Sequence, residues 1–357
     1  MTRTKGQKVS ICLLGDVSLN GYWEDAEGAY FSDEVLEVIQ GHDVVLLNLE
    51  SPVRGDGEEN LLKAPRLGTT ATAIQKLDCL SPSVCVLANN HIYDHLVLGF
   101  SRTEVAVSRL GATAVGAGVD PEEALAPARF EVKGVQFSLL AYVGGETNPK
   151  LPSDAGLYLN MLEEDRIVDE IIRERQSGRI VIVSLHWGLE FYDYPAPWQR
   201  RLASKMAQAG ARIIWGHHAH VSQGWERRGQ TDVLYCMGNT VFDDVEGAVK
   251  WDERGRRSLL ASIDVHSNAN ELAAAIQVSF LDRKTCRSSG VFLSPHGINK
   301  RLCSPLRLNR TFYRVFYTWQ QMKFLLGRGW NYFAGDGRSL WRQILRLPAR
   351  ICQGLRE

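Results

Sequence analysis

Short apolar runs recur along the first two-thirds of the chain, and polar side chains follow each run directly. The runs cover residues 9–14, 44–49, 84–88, 180–185 and 211–215. Each has five or six residues and contains β-branched side chains, which is typical of buried strands. Between the runs, helical spacing predicts helices over 162–176 and 199–209, the second capped by Gly210 in the left-handed conformation. Strands that alternate with helices predict an α/β domain.

The pattern changes near residue 233, where strand-like runs follow one another without helical segments between them. Such runs indicate a β-rich closing part, which is typical of a second sheet. The polar stretch 283–290 then interrupts the pattern and is a candidate domain edge. The sequence therefore predicts a main domain over residues 1–290 and a C-terminal extension over residues 300–357.

The extension differs from the rest of the chain in charge and aromatic content. It contains 12 Lys or Arg against two acidic residues, a net charge of +10, whereas the whole chain has 41 of each sign. Helical spacing predicts an amphipathic helix with an apolar face formed by Phe312, Val315, Phe316, Trp319, Met322 and Leu326. Further on, Arg338, Arg342 and Arg346 form a basic stripe with Trp341 beside it.

Three interpretations of residues 303–357 are open. Basic and aromatic side chains suit an anionic membrane interface, so the segment is a candidate for peripheral membrane contact or for docking a protein partner. Alternatively, its aromatic face packs against the main domain. Nucleic-acid binding ranks third, because no recognised binding module accompanies the charge.

Composition favours a globular protein that stays inside the cell. Apolar residues make up 45% of the chain and charged residues 23%, the usual proportions of a globular domain. No run approaches the roughly 18 apolar residues of a membrane helix, and the first residues lack the apolar core of a signal peptide. The seven cysteines include no CxxC pair, which argues against a disulfide framework. We therefore expect a cytoplasmic protein, with peripheral contact at the inner membrane face left open.

Carboxylate, amide and imidazole side chains stand at the ends of the predicted strands: Asp16, Glu50, Asn90, His91, His186, His218 and His220. In open α/β folds, residues at the carboxyl ends of strands converge on one crevice. Taken singly, His91 or His186 is more often a structural histidine. The HHAH tract at 217–220 favours metal binding. Alternate residues of an extended segment point the same way, so His218 and His220 could both be ligands from one loop. The whole set suits one or two divalent transition metals.

Six motifs follow one another along the chain: GDVSLNG (15–21), LNLESPV (47–53), LANNHIYD (87–94), HWGLEFYDYPAPWQ (186–199), GHHAHVSQ (216–223) and YCMGNTVFD (235–243). In this order they resemble the CapA-like capsule and poly-γ-glutamate synthesis family, a branch of the metallophosphatase superfamily. The resemblance implies an α/β fold, a four-layer α-β-β-α sandwich of the metallophosphatase type. The basic, aromatic C-terminal helical extension lies outside the matched motifs.

The resemblance also implies a role for each residue at the strand ends. One or two divalent ions (Mn, Fe or Zn) would be held by Asp16, Glu50, Asn90, His186, His218 and His220. Glu50 would be the acid shared between two ions, and His91 would protonate the leaving group. His217 is an alternative ligand.

A second group of candidates surrounds these residues. Asn239 and Asp243 either orient a ligand histidine or form a turn with side-chain hydrogen bonds. Trp187, Glu190 and Tyr192 follow His186, and they either shape a groove for a polymer or brace the loop.

The chain departs from the family pattern in three places. Ser18 stands where the superfamily pattern Asp-x-His has a histidine, so one expected ligand is missing. Ala219 replaces the usual proline between His218 and His220. Many family members carry an N-terminal membrane anchor, and none is predicted here.

The implied function is that of a metal-dependent hydrolase of the metallophosphatase type. It would act in capsule, exopolysaccharide or poly-γ-glutamate biosynthesis, on an anionic polymer or a phosphoester. The alternative is a non-catalytic assembly or export factor that holds an anionic polymer or its carrier in the same crevice.

Overall fold

The computed structural model describes residues 8–25, 27, 30–266, 270–282, 287–290 and 300–327. Its strands, in chain order, are β1 (Lys8–Val17), β2 (Val44–Leu49), β3 (Val84–Val86), β4 (Thr113–Val115), β5 (Ala117–Gly118), β6 (Ala128–Val132), β7 (Val135–Val143), β8 (Tyr158–Leu159), β9 (Ile180–His186), β10 (Ile213–His217), β11 (Trp225–Arg228), β12 (Thr231–Leu234), β13 (Asn239–Val241), β14 (Arg257–His266), β15 (Asn270–Asp282) and β16 (Arg287–Gly290). The predicted strands near 9–14, 44–49, 84–88, 180–185 and 211–215 are thereby confirmed.

The helices of the described residues are α1 (Tyr22–Asp25), α2 (Asp33–Gln40), α3 (Ala71–Gln75), α4 (Leu96–Arg109), α5 (Pro121–Leu125), α6 (Glu164–Gln176), α7 (Pro197–Ala209), α8 (Lys300–Cys303) and α9 (Arg310–Gly327). Short 3-10 turns cover Lys76–Leu80, Gly145–Thr147 and Ser304–Arg307. The predicted left-handed cap is confirmed, since Gly210 follows α7 with φ +107°. Glycine adopts this conformation without the steric strain that a Cβ atom brings.

Among the described residues, two large sheets hold all the strands except β5 and β8, which pair with each other in a small antiparallel sheet. The first has the order β16-β15-β14-β1-β2-β3-β4, with β13 paired to the end of β1, and the second has the order β11-β12-β10-β9-β7-β6. Strands β1 to β4 run parallel to one another, as do β7, β9, β10 and β12. The carboxyl ends of the parallel strands of each sheet therefore lie at one edge of that sheet.

The main apolar core lies between the inner faces of the two sheets. Ile11, Leu46, Phe137, Ile182 and Trp215 are among its buried side chains. Helices α2, α3 and α4 cover the outer face of the first sheet, and α6, α7 and α9 cover that of the second. Strands β2, β3 and β10 are thus buried on both faces, which explains why they read as continuous apolar runs. The four-layer α-β-β-α sandwich expected from the sequence is confirmed.

The closing strands do not form a second sheet. Strand β14 pairs antiparallel with β1, and β15 and β16 continue the same sheet outward. The second sheet is built instead from the middle of the chain, from β6, β7 and β9 to β12. An apolar pattern identifies a strand but carries no information on its partner. Strand β2 occupies only one side of β1, so the other side is available for β14.

The helix expected in the extension is present as α9, and both of its faces are apolar. Tyr313 and Tyr317 are buried against the second sheet and its helices, whereas Phe312, Val315, Trp319 and Met322 are exposed. The face that the sequence singled out thus points mostly to solvent, with Phe316 half-buried at its border. The side chain of Leu326, Trp341 and the basic stripe at 338, 342 and 346 lie outside the described residues.

Helix α9 is bound to the body by polar contacts as well as by packing. The Tyr313 hydroxyl donates a hydrogen bond to the Pro195 carbonyl at 2.7 Å, and the Arg200 guanidinium lies 4.1 Å from the Tyr313 ring centre. The Tyr192 hydroxyl donates to the Tyr317 carbonyl at 3.0 Å. Any domain boundary near residue 300 must therefore leave α9 attached to the second sheet. Among the described helices, none has the length and apolar composition needed to cross a bilayer.

We predict that Tyr313→Ala lowers the free energy of unfolding by about 3–5 kcal/mol, because a buried aromatic ring is lost and a cavity remains. The matched change Phe312→Ala, one residue earlier on the exposed face, should stay within about 0.5 kcal/mol. Urea unfolding followed by circular dichroism measures both. Equal effects of the two substitutions would contradict this packing.

Candidate metal centre

The candidate ligands converge because strands of both sheets end at one place. Asp16 lies near the end of β1, and Glu50 and Asn90 follow β2 and β3. From the second sheet, His186 ends β9, and His218 and His220 lie in the loop after β10. All six side chains are buried. The structure thus brings together the six residues that the sequence proposed as metal ligands.

Glu50 is the centre of this group. Its side chain is fully buried, and neither carboxylate oxygen has a hydrogen-bond partner within the described part of the chain. Two imidazole nitrogens lie close to Oε1, His220 Nε2 at 3.7 Å and His186 Nε2 at 3.9 Å. Burial, with the nearby charges of Asp16 and Glu190, raises the pKa of Glu50 well above its usual range. A buried carboxylate without partners is costly, and a cation at this position would remove the cost.

His186 and His218, beside Glu50, are held in the neutral form. His186 Nε2 lies 2.9 Å from Asn90 Oδ1 and 3.1 Å from His218 Nδ1. Burial lowers the pKa of His186 and of His218 well below the usual value, and neighbouring histidines lower both further. A neutral imidazole keeps a lone pair for a metal ion. The electrostatics of the pocket therefore favour ligation over a positive charge on the rings.

Asp16 is ionised and held in place by its neighbours. Burial alone would raise its pKa, but the hydrogen bond and charge of His217 lower the pKa below the usual range. His217 Nδ1 lies 2.7 Å from Asp16 Oδ1, and the Asn48 amide donates to the same oxygen at 2.9 Å. The extra histidine of the HHAH tract thus contacts a candidate ligand and fixes its orientation.

The loop that carries His218 and His220 has a strained backbone. Both residues have positive φ angles, 84° and 54°, a region that costs non-glycine residues energy and is concentrated at functional sites. Asn239 supports the loop, since its Oδ1 lies 2.9 Å from His220 Nδ1. Asp243 instead supports the chain near α1, because its carboxylate accepts hydrogen bonds from the backbone amides of Tyr22 and Asp244.

His91 belongs to a separate chain of polar contacts beside the ligands. Its Nδ1 donates a hydrogen bond to Asp94 Oδ2 at 2.6 Å, and Lys63 Nζ lies 3.1 Å from the other carboxylate oxygen of Asp94. Burial would raise the pKa of Asp94, but His91 and Lys63 lower it. Sequence reasoning missed both partners. Asp94 is the last residue of the LANNHIYD motif and could have been found there, whereas Lys63 lies in an irregular segment that gives no signal.

The proposed groove residues separate into two kinds. Trp187 is buried and donates a hydrogen bond to the Tyr235 carbonyl at 3.1 Å, and Tyr192 is buried beneath α9. Trp187 and Tyr192 therefore belong to the core and do not line a groove, because the aromatic rings of this loop pack inward. Glu190 is half-buried and lines a cavity of about 100 Å³ together with Lys63, Asn90, His91, His220 and Trp251.

The donor set fits divalent metal ions. Ligand atoms of Asp16, Glu50 and His186 all lie within 4.8 Å of one another, and so do those of Glu190, His218 and His220. Mixed carboxylate and imidazole donors are typical of zinc, iron and manganese sites. The two unpartnered oxygens of Glu50 are the observation that most favours a cation at this position.

The family model described as bacterial capsule synthesis protein PGA_cap matches residues 10–244, which are 235 of the 357 residues. The chain belongs to this family. The matched region contains every candidate ligand and the strands of both sheets up to β13. The family model therefore covers all the strands whose ends form the candidate metal centre.

Similar proteins carry capsule-related names. The chain is 28% identical over 254 residues to the capsule biosynthesis protein CapA of Bacillus anthracis, covering 67% of this chain and 61% of that protein. It is 29% identical over 252 residues to the PGA biosynthesis protein CapA of Bacillus subtilis, covering 66% and 63%. It is 30% identical over 227 residues to a probable polyglutamine synthesis accessory protein of Mycobacterium tuberculosis, covering 60% of each. The chain thus spans about three-fifths of the length of these curated relatives.

Among solved structures, a hypothetical protein from Thermus thermophilus aligns with a TM-score of 0.50 at 14% identity. The alignment covers 76% of this chain and 100% of that protein. This similarity concerns the fold alone.

For this member of the capsule-synthesis family, we predict that Glu50→Gln stabilises the metal-free protein and that the gain grows with pH. The raised pKa means that folding favours the protonated carboxyl, so wild-type stability falls as pH rises above the ordinary value of about 4.5. Glutamine removes this dependence. Urea unfolding with a chelator at pH 5 and pH 8 measures the difference, with exposed Glu122→Gln as the control. A difference in stability that does not change with pH would show that ionised Glu50 does not destabilise the folded protein.

Proposed function

We propose that this protein is a metal-dependent hydrolase of the metallophosphatase type that acts on a phosphoester or an anionic polymer in capsule, exopolysaccharide or poly-γ-glutamate production. The buried, unpartnered carboxylate of Glu50 carries the proposal, because it provides a place for a cation next to a histidine–aspartate pair. Family membership and the names of the similar proteins support the biosynthetic setting.

Asp16, Glu50, Asn90, His186, His218 and His220 would hold the ions. Bound there, a divalent ion supplies Lewis acidity toward a phosphoryl oxygen and lowers the pKa of water. The chain keeps these donors in position through Asn48 and His217 on Asp16, and through Asn239 on His220. Such supporting contacts fix ligand orientation and raise ligand basicity.

His91 is positioned to deliver a proton. Asp94 accepts the hydrogen bond from His91 Nδ1, which fixes the tautomer. His91 also lines the cavity beside the candidate ligands. The positive charge of Lys63 lowers the pKa of Asp94. The aspartate therefore stays ionised when His91 gains or loses a proton. A protonated His91 would then donate to the leaving-group oxygen.

The rival function is non-catalytic. The same crevice would hold an anionic polymer or its carrier during assembly or export, with the ions and Lys63 neutralising its charge. The word accessory in the name of the mycobacterial relative favours this rival. Turnover decides between the two.

We predict that the protein hydrolyses a phosphoester when Mn²⁺, Zn²⁺ or Fe²⁺ is added, and that His91→Gln lowers turnover about 10²–10⁴-fold. Metal content of the variant, measured by elemental analysis, should equal that of the wild type because His91 is not a ligand. His42→Gln, on the half-buried histidine beside β14, serves as the control and should keep full turnover. Loss of metal together with turnover would make His91 a ligand. Absence of turnover on a phosphoester panel, with retained binding of poly-γ-glutamate, would establish the rival.

We further propose that α9 and residues 328–357 form a peripheral contact with an anionic membrane. Phe312, Val315, Trp319 and Met322 recur at three- and four-residue spacing on the exposed face, and residues 304–327 contain no acidic side chain. An apolar stripe with basic neighbours lies favourably in a membrane interface. This arrangement would place the protein at the inner membrane face.

We predict that the full-length protein sediments with vesicles that contain phosphatidylglycerol, and that rising salt releases it, because salt screens the basic residues. The double change Val315→Asp with Trp319→Asp should abolish sedimentation. The matched control Val97→Asp with Val105→Asp alters two exposed valines of α4 and should leave it unchanged. Equal sedimentation with neutral vesicles, or none with either kind, would contradict the membrane contact.

A further inference from the structure

Glu190 is fixed against the histidine loop by the backbone. It lies two residues after Gly188, which has φ +98°, and directly precedes Phe191, a non-glycine residue with φ +60°. The amide of Phe191 donates a hydrogen bond to the Ala219 carbonyl at 2.8 Å, between the two histidines of that loop. Strain of this kind persists only where the surroundings enforce it and is concentrated at functional sites.

This connection brings the Glu190 carboxylate to the imidazoles. One oxygen of Glu190 and one nitrogen each of His218 and His220 lie within 4.8 Å of one another. Ligand atoms sit about 2.0–2.2 Å from a zinc ion, so two atoms on opposite sides of a shared ion are about 4 Å apart. The observed spacing needs only a small contraction. A carboxylate with two imidazoles is also a donor set that transition metals accept.

A metal ligand from this loop would compensate for the histidine that is missing at position 18. Ser18, two residues after Asp16, is buried and donates its hydroxyl hydrogen to Asn20 Oδ1 at 2.7 Å. Its side chain is therefore engaged elsewhere and does not replace the imidazole that is missing at this position. The three residues Asp16, Glu50 and His186 form their own compact set, which leaves His218 and His220 to be completed by another carboxylate.

We propose that Glu190 is a metal ligand that completes a second cation site with His218 and His220. The proposal rests on the proposed function only in that both require metal ions. It assigns Glu190 to the metal centre and not to a polymer groove. The second ion would border the cavity that Glu190, His91 and His220 line, so it would be the ion that faces the substrate.

Titration of the full-length, metal-free protein with Mn²⁺ alone tests the proposal. Calorimetry gives the dissociation constants, and elemental analysis after dialysis gives the number of ions per chain. We expect two ions for the wild type. For Glu190→Gln we expect either the loss of one ion or a rise in one dissociation constant of at least about tenfold, since even supporting residues around metal sites contribute 10–100-fold. Glu190→Asp should recover part of the affinity.

Glu146→Gln is the matched control. Exposed Glu146, in the turn after β7, accepts a hydrogen bond from the Gly188 amide at 2.8 Å. Glutamine keeps an oxygen for that bond while removing a charge beside the loop that carries Glu190. This variant should bind two ions with wild-type affinity. Thermal unfolding of each metal-free variant checks that it is folded.

The outcomes separate this inference from the function on which it rests. Two ions bound with unchanged affinity by Glu190→Gln would overturn the ligand role and return Glu190 to the substrate side, with the hydrolase proposal intact. Loss of both ions together would overturn the division into two ligand sets. A wild-type protein that binds no Mn²⁺ would overturn both proposals.

Discussion

The whole arrangement depends on one constraint: a carboxylate is enclosed between two sheets without a hydrogen bond from the described part of the chain. Glu50 directly follows a strand of the first sheet, and the imidazoles of His186 and His220, at the strand ends of the second sheet, lie 3.9 and 3.7 Å from it. Neither sheet alone could exclude water from this carboxylate. The face-to-face packing that buries the apolar core therefore also creates a low-dielectric chamber at the strand ends. In such a chamber an uncompensated charge costs several kcal/mol, and the attraction for a cation is correspondingly strong.

Around this chamber, each group that would contact an ion or a substrate is held by another side chain. Asp16 is held by Asn48 and His217, His220 by Asn239, and His91 by Asp94. Most of these supports stand on strands or directly after them, where the backbone is fixed by ladder hydrogen bonds. Rigid placement of donors lets binding energy be used for the reaction instead of for ordering the site.

The sequence was informative wherever a local pattern determines the structure. Buried parallel strands produce continuous apolar runs, so the strands and the polar residues that end them, Asp16 and Glu50 among them, could be predicted. Sheet membership could not, because alternation in β14 does not reveal that its partner is β1. Lys63 was missed because an irregular segment gives no periodicity, and only the fold brings it to Asp94. Tyr192 was misplaced because an aromatic residue in a loop is equally compatible with a groove and with the core. In α9, apolar residues on both faces left the packed side undetermined.

The pairing of β1 with strands near the end of the main domain has a consequence for how the protein is made. Asp16 meets His217 across 201 positions of sequence, and β1 completes its ladder only with β13 and β14. At a synthesis rate of about 5–20 residues per second, Asp16 waits roughly 10–40 s on the ribosome for these partners. During that interval the edge of β1 that pairs with β14 leaves backbone N–H and C=O groups unpaired. Contacts so distant in sequence also form slowly. A nascent chain of this family should therefore be a frequent client of chaperones until residue 266 has emerged.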